Sequence, residues 1–403
     1  MCALLTLWRA ALRLVRGGEG RGPERPRKIL FIKMTEQGAT VIGYPAIQAA
    51  VQRVGRDNVY FWVFEENRPI LELMDVIPQQ NIISLRAKKP LQFLWDFTRT
   101  LLRIRMLRID AVIDLEFLSR ASAIFGYLTG AARRVGFHRF ANEGCYRGDL
   151  LTHRLAYNIY LHTSVTFRLL VEALDLDPGE VPLPKVPVAG ESRGTVPQYV
   201  PQAADVEAMQ RLVGELPGTG PVVLLNPNAS DLLPLRKWPT ERFLELARRV
   251  LAHESEPRIV FTGAPNEAAQ AGVMVRELGS DRVVSAAGRT SLRELFALYT
   301  LADVLVTNDS GPAHFSAMTE VSAIILFGPE TPALYGPMSD RAQVVWKGLA
   351  CSPCVNIYNH RFSPCNNNVC MQMITVDEVY GRVCEALAER QPKRKPNGRA
   401  KKG

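Results

Sequence analysis

Val306-Thr307-Asn308-Asp309-Ser310-Gly311-Pro312-Ala313-His314 is the stretch on which the reading of this chain turns. The apolar run 302–306 before it reads as a short buried strand, and residues 315–318 after it as the first turn of a helix. Pro312 suits position N1 of that helix, because the N–H it lacks would be unpaired there anyway. Asp309, Ser310 and Gly311 then form a turn whose N–H groups point past the helix start. Such a turn attracts an anion, most often a phosphate.

The same order of strand, polar loop and helix recurs on both sides. Residues 222–226 read as a strand followed by Asn226-Pro227-Asn228-Ala229-Ser230, and Thr240 as the cap of a helix over 241–253. Residues 258–262 form a strand that runs into Thr262-Gly263-Ala264-Pro265-Asn266-Glu267. Ser291 and Glu294 have capping-box spacing and open a helix through Leu301. Residues 323–327 are a strand followed by Gly328-Pro329-Glu330-Thr331. In a parallel sheet these four loops share one rim, and Arg236-Lys237 brings cations to it, which suits a nucleotide diphosphate.

The first half alternates in the same way. Strands are expected over 28–33, 59–64 and 111–114, a glycine-containing loop over 34–38, and helices over 44–53 and 91–108. Residues 175–201 are rich in proline and poor in periodic apolar positions, which reads as a linker. The expected division is a basic amphipathic leader over 1–27, an acceptor-side Rossmann-like domain over 28–180, a linker over 181–217, a nucleotide-sugar-binding Rossmann-like domain over 218–389, and a basic tail over 390–403. The fold class is α/β, two doubly wound units with a ligand cleft between them at the carboxyl ends of their strands.

A chain of 403 residues buries a core large enough for two such domains. Its net charge of +9 belongs to the ends. The leader contributes +4 and the tail +7, leaving a body of −2 and no nucleic-acid-binding groove within it. No apolar run approaches the ~20 residues of a membrane span. Arg9, Arg13 and Arg16 interrupt the apolar N-terminus, so it does not read as a signal peptide. It reads as a helix lying in a membrane surface, or else as a helix docked on the protein or a disordered leader. Cys351, Cys354, Cys365 and Cys370 form a C-x2-C-x10-C-x4-C cluster, compatible with a structural zinc ion, disulfides or free thiols.

Lys28-Ile29-Leu30-Phe31-Ile32-Lys33 with its Gly38 loop, Arg236-Lys237-Trp238-Pro239, Thr307 through His314 and Leu326-Phe327-Gly328-Pro329-Glu330-Thr331-Pro332 together resemble glycosyltransferase family 9, the heptosyltransferases of bacterial lipopolysaccharide assembly and their relatives. The resemblance runs from about Lys28 to Ala388. It implies the GT-B fold, with the sugar nucleotide on the second domain and the acceptor on the first. It also implies metal-independent inverting transfer at the cytoplasmic face of the inner membrane. The expected partners are a nucleotide-diphosphate sugar (ADP-heptose by family precedent), a glycolipid acceptor and the membrane surface, with no cofactor.

On that resemblance Asp309, Ser310 and Gly311 form the donor turn, and Arg236 stands where the family has a phosphate-binding lysine, with Lys237 one residue later. Ser230 is a candidate phosphate hydroxyl, Glu267 a candidate for sugar or ribose hydroxyls, and His314 could face the donor. Each has a plainer reading: Asp309 as a helix cap, Glu267 as a first-turn acid, His314 as a core histidine, Trp238 as packing. The largest departure is in the first domain. The family's expected general base, an Asp directly after the loop glycine, is here Ala39. Glu36 is the candidate substitute in the same loop, with Asp114 and Glu116 a second possibility. A protein that binds sugar nucleotides without turnover is the competing reading.

Overall fold

The computed structural model describes residues 1–16, 25–87, 89–140, 145–188, 190, 192–229, 233–359 and 361–389. Parts of the leader, Ser230 and the whole basic tail 390–403 lie outside these residues. Two six-stranded sheets carry the chain. The first holds β1 (Ile29–Ile32), β2 (Val59–Phe64), β3 (Ile82–Leu85), β4 (Ala111–Asp114), β5 (Arg133–Phe137) and β6 (His153–Leu155), in the order β3-β2-β1-β4-β5-β6. The second holds β7 (Val222–Asn226), β8 (Arg258–Phe261), β9 (Val283–Ser285), β10 (Val304–Asn308), β11 (Ser322–Phe327) and β12 (Ala342–Trp346), in the order β12-β11-β10-β7-β8-β9. Every strand pairing in both sheets is parallel. These are the two doubly wound units expected from the sequence. In each, strand order reverses beside the first strand, the switch point at which such sheets bind ligands.

Burial follows the two-residue period of a strand. Ile29 and Phe31 of β1 join a core with Ile47, Ile70 and Phe167 on one face, while Leu30 and Ile32 meet Trp62 and Ile104 on the other. Parallel strands covered on both faces read as continuous apolar runs, which is why β1, β2 and β7 were visible in the sequence. Strands β3, β6 and β9 are only three or four residues long and escaped it. The segment expected to be a linker holds more than extended chain. A helix, Ala203–Gly214, lies within it and packs Met209, Leu212 and Val213 into the core, against the helix Leu292–Leu301.

The two units meet along a seam. His162 Nε2 donates to the Gly336 carbonyl at 2.9 Å, and Tyr358 Oη donates to the Tyr157 carbonyl at 2.8 Å. The Ser164 N–H donates to His162 Nδ1, so the seam proton sits on Nε2. Ile42 of the first unit packs with Ala313, Phe327 and Tyr335 of the second. No helix among the described residues is long and apolar enough to cross a membrane.

Candidate functional site

A cleft of about 980 Å³ opens between the carboxyl ends of the two sheets. The first unit contributes Glu36, Gly38 and Ala39 to its lining. The second contributes Asn226, Asn228, Arg236, Glu267, Glu330 and the turn from Asp309 to His314.

On the second unit, β10 ends at Asn308, whose buried side chain ties its own turn to both ends of the connection that follows β7. Its Nδ2 donates to the Pro227 and Asn228 carbonyls at 3.1 Å each, and its Oδ1 accepts from the Trp238 N–H at 3.1 Å. The short helix Gly311–Ser316 follows. Ser310 is its N-cap, so Pro312 falls at N2, one position later than expected from sequence. Asp309 does not cap the helix. Its carboxylate turns to Arg236, with Oδ2 3.7 Å from Nη1, a distance too long for a hydrogen bond. Asp309 Oδ2, Arg236 Nε and Asn228 Nδ2 are all buried and, among the described residues, lack a hydrogen-bond partner. Burial pushes the Asp309 carboxyl up, and Arg236 pulls against it. Native interiors rarely leave such groups unpaired, and three on one cleft wall mark a place prepared for a polar guest.

His314 lines the cleft and also forms the seam. Burial, then His162 and Arg236, hold its imidazole down to about 3, so the ring is neutral. It lies against Gly38, where a Cβ would stand 2.6 Å from His314 Cδ2. That close approach, rather than any special torsion, is what Gly38 is for. Glu267 is a first-turn acid whose Oε2 accepts from the Ala264 N–H at 2.6 Å, and it also lines the cleft. Lys237 is half-buried outside the cleft lining, and its carbonyl accepts from Asn368 Nδ2 at 3.0 Å. Trp238 packs edge-on against Phe243 and donates from Nε1 to the Ile374 carbonyl at 2.9 Å.

On the first unit Glu36 does reach the cleft, but both its oxygens are engaged by cations. Oε2 meets Lys33 Nζ at 2.8 Å, and Oε1 pairs with Arg361. Its backbone is left-handed at φ 69°, a conformation costing about 1 kcal/mol for a residue with a Cβ. Glu116 holds the loop, accepting from the Met34 and Thr35 N–H groups at 2.7 and 3.2 Å and from Lys33 at 3.2 Å. Asp114 is buried in an ion pair with Arg147 and accepts from Ser122 Oγ at 2.8 Å. Neither Asp114 nor Glu116 lines the cleft. Burial depresses the Lys33 ammonium against the opposing pull of Glu116.

Two charged groups of the cleft lining were not singled out from the sequence. Glu330, in the rim loop after β11, is buried in the cleft wall. Burial first, then Asp309, push its carboxyl up to about 8, with Arg236 opposing. The available signal was its place as the one acid in that rim loop. Arg361 comes from the cysteine-bearing segment and enters the cleft between Phe117 and Tyr335, 5.9 Å from each ring centroid. Burial lowers its guanidinium to about 10. Nothing in the sequence pointed to it, because its place depends on a loop folding back across the seam. Cys351, Cys354, Cys365 and Cys370 form no disulfide. Burial raises the Cys370 thiol, and the neighbouring Cys354, Cys365 and Cys351 add to it.

Glycosyltransferase family 9 (heptosyltransferase) matches residues 98–361, more than half of the chain and parts of both units. The chain belongs to this family. A lipooligosaccharide heptosyltransferase 2 of Campylobacter jejuni is 26% identical over 158 residues, covering 38% of this chain and 47% of that protein's length. The lipopolysaccharide heptosyltransferase 1 of Pseudomonas aeruginosa is 24% identical over 340 residues, covering 81% of this chain and 86% of its own. The solved Escherichia coli ADP-heptose lipopolysaccharide heptosyltransferase II superposes with a TM-score of 0.69 at 19% identity, over 90% of this chain and 99% of that one. At that identity the superposition establishes the fold, a GT-B arrangement shared with other family 9 glycosyltransferases.

Proposed function

We propose that this family 9 protein transfers a sugar, with inversion, from a nucleoside diphosphate donor in the second unit to a glycolipid acceptor presented by the first. The supporting observation is the set of buried atoms Arg236 Nε, Asp309 Oδ2 and Asn228 Nδ2, without hydrogen-bond partners among the described residues, beside the turn at Ser310 and Gly311. A diphosphate suits them: Arg236 supplies a charge-assisted fork, and the opening N–H groups of the helix lack intrahelical partners. In this reading the departing diphosphate is stabilised by protein cations and N–H dipoles, with no metal ion required. ADP-heptose is the donor that the names of the relatives favour, and lipopolysaccharide core assembly at the cytoplasmic face of the inner membrane is the setting.

The acceptor hydroxyl needs a base. Glu36 is the proposed one, because of the two acids that the first unit brings to the cleft lining, Glu36 and Glu66, it lies in the loop where the family carries its Asp. To act, it must exchange the Lys33 or Arg361 contact for the hydroxyl. That engagement, together with Ala39, supports the second reading, a relative that binds sugar nucleotides without turning them over.

A panel of ADP-, UDP- and GDP-sugars tested for binding by calorimetry and for turnover with a glycolipid acceptor separates the two. Binding with turnover supports the transferase, binding alone the inactive relative. Failure of every nucleotide to bind would defeat both.

A further inference from the structure

Two helices of the first unit carry apolar side chains on the side turned away from the protein. The helix Pro90–Met106 packs Phe97, Leu101 and Ile104 inward. Leu91, Leu94, Trp95, Leu102 and Met106 stand outside, with Leu91 84% and Trp95 69% exposed. Their spacing of three, four and seven residues places them on one stripe. The N-terminal helix Cys2–Arg16 is built alike. Its polar side meets the protein: Thr6 Oγ1 accepts from the Asp149 N–H at 2.9 Å, and the buried Arg9 donates to the carbonyls of Asp149 and Leu151. Met1, Leu4, Leu7 and Trp8 are left outside, Trp8 60% exposed. A stripe that size on two helices is not the scatter of single apolar residues found on ordinary surfaces.

The two helices belong together. Both touch the helix Arg120–Leu128: Cys2 Sγ lies against the Arg120 carbonyl, and Arg105 Nε donates to the Leu128 carbonyl at 2.9 Å. Pro90 follows closely on the carboxyl end of β3, and Arg120 on that of β4, so Leu91, Leu94, Trp95 and the start of the first helix lie at the cleft end of the sheet. On the longer helix the exposed charge is of one sign. The single acid of the longer helix, Asp96, is turned inward and held by Arg86 at 2.7 and 2.9 Å, while Arg99, Arg103 and Arg105 are exposed. The helix Cys2–Arg16 contains no acid. Tryptophan and leucine bordered by arginine is the composition of a surface that enters the headgroup region of an anionic bilayer.

We propose that these two helices form a docking face for an anionic phospholipid bilayer, which sets the acceptor rim of the cleft against the membrane surface. The purpose of the face rests on the functional reading above, since a lipid-borne acceptor would then enter the cleft from its own membrane. The test is co-sedimentation of the full chain with vesicles of phosphatidylcholine alone and of phosphatidylcholine with about 30% phosphatidylglycerol. Binding to the anionic vesicles, weakened by salt, is expected. Leu94→Glu with Trp95→Glu should weaken it about tenfold or more, and Trp8→Glu by less, with thermal unfolding unchanged. Equal sedimentation of wild type and the double variant would overturn the proposal. So would absence of binding to anionic vesicles, including the case in which wild type self-associates and the variant is monomeric, which would assign the face to a second copy. ADP binding measured on the same samples reads the functional proposal separately: its loss in wild type would sink that proposal and leave the docking face standing.

Discussion

The two walls of the cleft handle charge in opposite ways. On the second unit, Arg236 and Asp309 face each other at 3.7 Å, and Arg236 Nε and Asp309 Oδ2 have no hydrogen-bond partner among the described residues. On the first, Glu36 has both oxygens occupied, by Lys33 and Arg361, and Lys33 is shared with Glu116. Leaving a buried charge short of partners is costly, and the cost is recovered when a polar ligand supplies them. In the proposed function the second wall is thus set for binding, and the first is closed on itself until a substrate competes for Glu36.

The sharpest break of this contrast is Glu36→Gln. If the base reading holds, turnover falls by about 100-fold or more while donor affinity in calorimetry stays within error. Full turnover would leave Glu36 as a loop-fixing ion-pair acid. Arg236→Ala comes next: ADP affinity should drop about 100-fold, because a charge-assisted fork is lost and Asp309 is left buried alone, with Arg236→Lys restoring part of it. Affinity within a few-fold of wild type would put the donor phosphates elsewhere.

Glu330→Gln sharpens the comparison through pH. The carboxyl of Glu330 is raised to about 8 in the folded chain, chiefly by burial. Between the ordinary carboxyl range and about pH 8 the unfolded chain gives up this proton and the folded chain keeps it. Folded-state stability therefore falls as pH rises through that window and levels off above it. Asp309, raised in the same way, shares in the effect. Wild type and Glu330→Gln should unfold alike at acid pH and diverge toward pH 9, the variant being more stable by on the order of 1–3 kcal/mol in denaturant melts. A constant difference at every pH would mean that Glu330 is not buried as a charge. The smallest effect is expected for Lys237→Ala, which should change ADP affinity by no more than about twofold, since Lys237 does not line the cleft.

Much of the fold was legible because long parallel strands covered on both faces leave unbroken apolar runs, as in Val59–Phe64 and Val222–Asn226. The helix Ala203–Gly214 was hidden by the prolines around it, which signalled extended chain across the whole segment. Within the site, Asp309, Ser310, Gly311 and Arg236 were readable from local order, since a turn between a strand and a helix presents N–H groups wherever it occurs. Glu330 and Arg361 were not, because neither carries a local pattern.

By itself the sequence determined the alternation of strands and helices, the family and the position of the turn after β10, all properties of residues adjacent along the chain. Only the tertiary structure decided which charges meet. Arg361 reaches Glu36 across more than three hundred residues, His314 closes on Gly38 from the other unit, and Glu330 comes beside Asp309 from the neighbouring strand. Electrostatic partnership depends on distance in space and on burial. Two sheets whose carboxyl ends face one cleft set both, in ways that spacing along the chain does not record.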